Sequence, residues 1–296
     1  MTKPNFIVIG AAKSGTTTLC ELLAEHPDIF VSDPKEPQYF SHDRNYALGM
    51  GWYEQFFAEA GNARAIGEGS VNYTMLPGFQ ETAARIARDL PGARLIYIVR
   101  HPVERMISTW RMLIRDKPGT GSFEEEIAKP ELSYYYVDRS RYWYQIQEYR
   151  QHFPDDQILV LFLDDFAADP IATLRRCYAF LDVQPDFLPE TPGRKKNPSA
   201  GYRTDSPILQ TIDNIPLLRL LKGLFPDKLR HKLRAKLTTE LVAIPYCSQA
   251  KRHWLADQLR ADTSQFLEFY GKPADFWRME PDDFEKMFAA QEGEAD

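Results

Sequence analysis

Lys13 stands in a small-residue turn, Gly10-Ala-Ala-Lys13-Ser14-Gly15-Thr16-Thr17, that follows four apolar residues and leads into an apolar spacing of helical type. A strand running through a glycine-rich turn into a helix N-terminus gathers free amide N–H groups at the positive end of a helix dipole, and that is an anion site. A lysine in the turn adds a point charge suited to phosphate. A nucleotide P-loop places its lysine after the second glycine and follows it at once with Ser or Thr for magnesium. Here Lys13 precedes Gly15, so the order predicts a phosphate-binding loop in which the magnesium arrangement is not evident. The bland alternative is a strand-to-helix turn with a surface lysine. Farther along, Arg100 closes the apolar run RLIYIVR, and Ser108 follows eight residues later on a helical stretch. An arginine fork and a serine hydroxyl so placed can grip one phosphate together, or they can make an ordinary capping contact.

The elements that must hold these residues can be read from periodicity. Residues 5–10 form a buried strand, and Leu19, Leu22 and Leu23 continue as a helix ending near His26-Pro27. DIFVS is a short second strand, PKEPQYFS a loop, NYALGMGWYEQFFAEA a helix-like aromatic stretch, and AIGEGSVNY a strand entering a turn. A helix at PGFQETAARIARDLPGA, the strand RLIYIVR and the helix PVERMISTWRMLIRD follow. Residues 123–153 read as mostly helical, QILVLFLDDF as a strand and PIATLRRCYAFLDV as a helix. Strands alternating with helices predict an α/β fold with a central parallel sheet flanked by helices, P-loop-like and three-layered. Beyond about Gln184 the pattern weakens into the polar stretch PETPGRKKNPSAGYRTDSP and then helices, including a basic amphipathic piece over Lys222 to Lys236. The expected organisation is one domain over 1–296, with a core at 5–205 and a helical C-terminal extension at 206–296.

Bulk properties narrow the function classes. A chain of 296 residues suffices for one large α/β domain. The net charge of −6 argues against broad nucleic-acid binding. Cys20, Cys177 and Cys247 lie far apart with no metal spacing, which points to a reducing compartment and no metal. The longest apolar runs are too short to span a membrane, and the N-terminus has no signal-peptide pattern. The expectation is a cytoplasmic protein, or one whose targeting segment has been removed.

Three stretches carry a family resemblance: Lys13-Ser14-Gly15-Thr16-Thr17 after the first strand, KEPQYF at 35–40 and RHPVERMIST at 100–109. In this order they resemble the sulfotransferases that use 3′-phosphoadenosine 5′-phosphosulfate (PAPS), most nearly the bacterial and heparan-type carbohydrate branch. The resemblance covers most of residues 5–205 and is more specific for the donor than for the acceptor. It implies that Lys13, Ser14, Gly15, Thr16 and Thr17 bind the 5′-phosphosulfate end, and that Arg100 and Ser108 bind the 3′-phosphate. It also implies a basic loop over the adenosine, with Arg194, Lys195 and Arg203 as candidates; a solvated basic loop is the alternative there.

Sulfuryl transfer needs a cation to meet the leaving phosphate and a base to take the acceptor's proton. Lys13 suits the first role. The resemblance points to Glu36 for the second, in a loop near the carboxyl ends of the strands where open α/β sheets bind ligands. A solvent-facing carboxylate beside Lys35 is the competing reading, and His42 is a second candidate base. The chain departs from the heparan-type pattern in two places: Gln38 stands where a histidine is common, and Gly69 stands where a lysine follows the glutamate. Glu68 is expected to orient Lys13 or the acceptor, or to make a cap or salt bridge. His101 is read as structural, and Arg141 or Tyr142 as able to reach the nucleotide or acceptor. The function read here is sulfuryl transfer from PAPS, without a metal, to a hydroxyl or amine of a carbohydrate or other small molecule. The alternatives are a P-loop kinase or NTPase, with Asp164-Asp165 as the strand-end acidic partner, and an inactive module that binds PAPS or its product adenosine 3′,5′-bisphosphate.

Overall fold

Apolar runs without polar alternation need burial on both faces, which a parallel sheet between helical layers provides. A computed structural model describes residues 2–117, 119–190 and 245–288, and 202–205 and 238–241 as backbone. Its centre is a five-stranded sheet of β1 (Phe6–Gly10), β2 (Ile29–Val31), β3 (Ala65–Glu68), β4 (Arg94–Val99) and β5 (Ile158–Phe162). The spatial order is β2-β3-β1-β4-β5, every pair parallel. The carboxyl ends of all five strands therefore open on one edge. β1 lies between β3 and β4, so the loop after β1 has the ends of both as neighbours.

Strand alternation divides the core in two. Ile7, Ile9, Leu95, Tyr97 and Val160 face one side, and Phe6, Val8, Ile96, Ile98 and Leu161 the other. The second side is covered by α1 (Thr16–Ala24) and α10 (Pro170–Phe180) through Leu19, Leu23, Leu174 and Tyr178. The first side is covered by α4 (Thr82–Asp89), α5 (Pro102–Asp116), α8 (Tyr142–Arg150) and α11 (Gln249–Phe269). Leu255, Leu259 and Phe266 of α11 join this same cluster, so the far C-terminal helix is part of the main core. Fully burying one such aliphatic side chain stabilises by about 2 kcal/mol.

Several elements differ from the periodicity. The stretch 45–60 breaks into α2 (Asp43–Tyr46), α3 (Met50–Glu54) and a 3-10 turn at Gln55–Phe57, because Gly49 takes φ +81 between them. Residues 123–153 hold α6 (Phe123–Ala128), α7 (Ser133–Tyr136) and α8. Pro130 forces Lys129 to ψ 119 and ends α6. β5 stops at Phe162, so Asp164 and Asp165 lie in α9 (Leu163–Ala168) rather than in the strand. The extension contains α11, but also β7 (Thr238–Leu241), which pairs antiparallel with β6 (Tyr202–Asp205) and departs from an all-helical reading. The basic piece Lys222 to Lys236 falls outside the described residues.

Candidate functional site

The turn between β1 and α1 is shaped by three backbone conformations. Gly10 has φ +149, and a Cβ there would collide with Thr74 Oγ1, which donates to the Ile9 carbonyl at 3.1 Å. Gly15 has φ +90, and its Cβ would sit 2.8 Å from Leu163 Cδ1. Lys13 itself takes φ +70, a left-handed conformation that costs a non-glycine residue about 1 kcal/mol. The Ala11 N–H donates to Ile98 O at 2.7 Å and the Ser14 N–H to Ala11 O at 3.2 Å, which pins the loop to β4. Gly15 is the N-cap of α1 and no side chain caps that end, so the first-turn amides are left for an anion. The Ser14 hydroxyl is buried without a well-formed hydrogen bond, with the Tyr142 hydroxyl close by.

Because β4 is the neighbour of β1, Arg100 arrives beside this loop. One guanidinium nitrogen points to the Lys13 carbonyl at 3.5 Å, while Nε and the other terminal nitrogen hold Glu104 Oε2 at 3.2 and 2.5 Å. The Tyr142 hydroxyl donates to the Arg100 carbonyl at 2.8 Å and fixes the strand end. Ser108 is buried on α5, one turn past Glu104 on the same helix face. The Lys13 ammonium is pushed below its ordinary pKa by burial and by Arg115 and Arg100, with Asp116 opposing. This loop therefore gathers positive charge at the end of the sheet.

The loop 33–41 is laced to the segment after β3. The Gly69 N–H donates to Lys35 O at 2.9 Å, Gln38 N–H to Ser70 Oγ at 3.0 Å, and Phe40 N–H to the Tyr73 hydroxyl at 3.3 Å. This lacing holds Glu36 half-buried, with Oε1 2.9 Å from Lys35 Nζ. Lys35 Nζ also donates to Gly69 O at 2.9 Å and reaches Thr16 Oγ1 at 3.5 Å. Glu36 is thus linked through one lysine to the first residue of α1. Along the sequence Lys35 stands only as a charge neighbour of Glu36. The available signal was its position directly before Glu36 in KEPQYF, combined with the missing side chain at Gly69.

Other expectations resolve differently. Glu68 is fully buried and accepts from Tyr53 Oη at 3.1 Å rather than contacting Lys13. Burial pushes its pKa up to about 7 against the hydroxyls of Tyr73, Ser70 and Tyr53. His42 meets Ser41 Oγ at 3.0 Å, Asn72 Nδ2 at 3.4 Å and the Phe79 ring. His101 is buried against Trp277 and Phe284. Arg141 pairs with Asp138 at 3.5 Å. Asp165 is held by Lys272 at 2.7 Å, and Asp164 accepts from Trp277 Nε1 at 3.1 Å, so both dock the C-terminal segment. The backbone of Arg203 lies on β6, beside α5. Arg194 and Lys195 lie outside the described residues.

The assembled edge offers an amide-rich turn with Lys13, an arginine at the next strand end, and a carboxylate held by a cation. Amides and cations so placed suit an anion. Among the described residues no group of His, Cys, Asp and Glu is placed to hold a metal ion, and no helix is long and apolar enough to cross a membrane.

Comparison with known proteins adds the following. A family model described as "Sulfotransferase domain" matches residues 3–194. The chain is 30% identical over 190 residues to heparan sulfate glucosamine 3-O-sulfotransferase 3A1 of Mus musculus, covering 61% of this chain and 46% of that protein. It is 41% identical over 115 residues to the membrane-associated sulfotransferase kil1 of Dictyostelium discoideum, covering 38% of this chain and 23% of that one. This chain thus spans less than half the length of either relative. A crystal structure of a sulfotransferase from Alicyclobacillus acidocaldarius superposes with TM-score 0.67 at 26% identity, covering 94% of this chain and 100% of that one.

Proposed function

We propose that this chain, which belongs to the sulfotransferase domain family, moves a sulfuryl group from PAPS to a hydroxyl or amine of a carbohydrate or other small-molecule acceptor. The observation that supports this most is the convergence at one sheet edge of the loop around Lys13, the Arg100 guanidinium 3.5 Å from the Lys13 carbonyl, and the Glu36 carboxylate tied through Lys35 to Thr16. The donor fits the residues present. Gly10 and Gly15 let the turn pack closely against Thr74 and Leu163 in its positive-φ shape, the end of α1 is uncapped, and the Ser14 hydroxyl is buried without a well-formed bond.

In this reading the amides and hydroxyls of residues 13–17 hold the 5′-phosphosulfate, and Arg100 with Ser108 holds the 3′-phosphate. The acceptor oxygen forms a new bond to sulfur as the bond between sulfur and the 5′-phosphate oxygen breaks. The electron pair stays on that phosphate oxygen, where the Lys13 ammonium meets the growing charge. The acceptor's proton passes to the Glu36 carboxylate. The printed name of the first relative, a heparan sulfate glucosamine 3-O-sulfotransferase, supports a carbohydrate acceptor as the first to try. A kinase or NTPase reading loses its acidic partner, because Asp164 and Asp165 already hold the C-terminal segment.

The test combines calorimetry with transfer of labelled sulfate from PAPS to desulfated heparan oligosaccharides. Adenosine 3′,5′-bisphosphate is expected to bind at least ~10-fold more tightly than adenosine 5′-monophosphate, in EDTA as well as without it, with Arg100→Ala removing the preference. Glu36→Gln is expected to slow transfer by about 10²-fold or more with little change in donor KM. Equal binding of the two nucleotides, or loss of binding in EDTA, refutes the donor. Nucleotide binding with no transfer to any acceptor leaves a binding module instead.

A further inference from the structure

Lys35 crosses Gly69 twice. Its carbonyl accepts from the Gly69 N–H at 2.9 Å, and its ammonium returns to donate to the Gly69 carbonyl at 2.9 Å. Position 69 is closely packed: a Cβ there would sit 2.7 Å from Cys20 Sγ, and in ordinary contact, 3.5 Å, with Lys35 Cγ and Nζ. An ammonium has three N–H donors. The Gly69 carbonyl, Glu36 Oε1 at 2.9 Å and Thr16 Oγ1 at 3.5 Å account for all three. The side chain is 21% exposed, so this is a directed, partly desolvated cation and not a surface lysine.

Two consequences follow from that geometry. Glu36 is fixed in direction, because one Oε is already engaged by the ammonium at 2.9 Å. Thr16 accepts from the ammonium, so its own proton is free to be donated into the anion loop at the start of α1. The cation joins the acceptor side of the site to the donor side.

We propose that Lys35 is a positioning residue for sulfuryl transfer: through its three hydrogen bonds it aims the Glu36 carboxylate and turns the Thr16 hydroxyl toward the donor, with the Gly69 carbonyl as its anchor. This rests on the reading of Glu36 as the base. When Glu36 takes the acceptor's proton the ion pair is discharged, and the ammonium stays anchored by Gly69 and Thr16.

The test measures transfer from PAPS to desulfated heparan oligosaccharides by Lys35→Met, Lys35→Arg, Glu36→Gln and the Lys35→Met/Glu36→Gln pair, with thermal unfolding and calorimetric binding of adenosine 3′,5′-bisphosphate as controls. Lys35→Met is expected to lower kcat by roughly 30-fold or more while donor KM and bisphosphate affinity change less than about threefold. Lys35→Arg is expected to recover at least about a tenth of the wild-type kcat, since it restores the charge in another shape. The double variant is expected to be no slower than Glu36→Gln, because both act on one group. Wild-type kcat in Lys35→Met with a slow Glu36→Gln overturns the role of Lys35 alone. A fast Glu36→Gln overturns the base and, with it, a role for Lys35 through that base. A double variant slowed by the product of the two single effects shows that Lys35 acts independently, which also overturns the proposal. A crystal structure of Lys35→Met with adenosine 3′,5′-bisphosphate is a second readout independent of the acceptor. Glu36 is expected to swing away from the Thr16 end, and an unmoved Glu36 refutes the positioning.

Discussion

Replacing Glu68 by glutamine is expected to stabilise this protein more at pH 8 than at pH 5. Glu68 ends β3 with no exposed surface. Burial raises its pKa from an ordinary 4.5 to about 7, even though the hydroxyls of Tyr73, Ser70 and Tyr53 favour the charged form. An acid whose pKa is raised by folding makes the native state bind more protons than the unfolded chain. Stability from this group is therefore complete below pH 4.5 and is lost as pH rises through the window up to about 7. At about 1.4 kcal/mol per pKa unit, the loss across the whole window is about 3 kcal/mol, of which about 2 kcal/mol falls between pH 5 and pH 8. Glutamine keeps the shape and an accepting oxygen but cannot ionise. Urea unfolding of both proteins at the two pH values reads the difference directly. The stability gap, variant minus wild type, is expected to rise by about 2 kcal/mol from pH 5 to pH 8. An equal gap at both values would mean that Glu68 titrates as a solvated acid and that the burial argument is wrong.

Two further outcomes follow from the same packing. Asp262 of α11 accepts from the Trp143 and Tyr144 N–H groups at 3.1 and 2.8 Å and so caps α8 from another helix; Asp262→Ala is expected to lose about 1–2 kcal/mol in urea unfolding, and Asp262→Asn, which keeps an accepting oxygen, less. The Lys13 pKa is depressed by burial and by Arg115 and Arg100, and a bound dianion reverses that field. Binding of adenosine 3′,5′-bisphosphate at alkaline pH, on the approach to the ordinary lysine value of 10.5, is thus expected to take up protons, read by calorimetry in buffers of different ionisation enthalpy, and the uptake is expected to vanish in Lys13→Ala.

The likeness of the C-terminal helix to the rest of the core was hidden in the sequence. The sequence reads as helices beyond residue 206, but only packing shows Leu255, Leu259 and Phe266 joining the main core cluster. The aromatic stretch 45–60 misleads for a related reason: aromatic content suggests one helix, while Gly49 at φ +81 breaks it and Tyr53 is turned to Glu68. Asp164 and Asp165 read along the chain as a strand-end acidic partner for the alternative kinase or NTPase, yet Trp277 and Lys272, more than 100 residues away, occupy them.

The sequence by itself determined what local chemistry dictates. Runs such as RLIYIVR must be buried strands, a bare glycine turn before a helix must expose amides, and Lys13, Arg100 and Ser108 supply the cations and hydroxyl from which the anion-binding proposal starts. Strand order was decided by the tertiary structure alone. Placing β1 between β3 and β4 brings residues 13, 16, 35, 69 and 100 to one edge. Periodicity reports which way a side chain faces relative to its neighbours in the chain. It does not report which distant strand will lie beside it, because that depends on burying both faces of the sheet at once. The lysine clasp over Gly69 is legible only after that choice has been made.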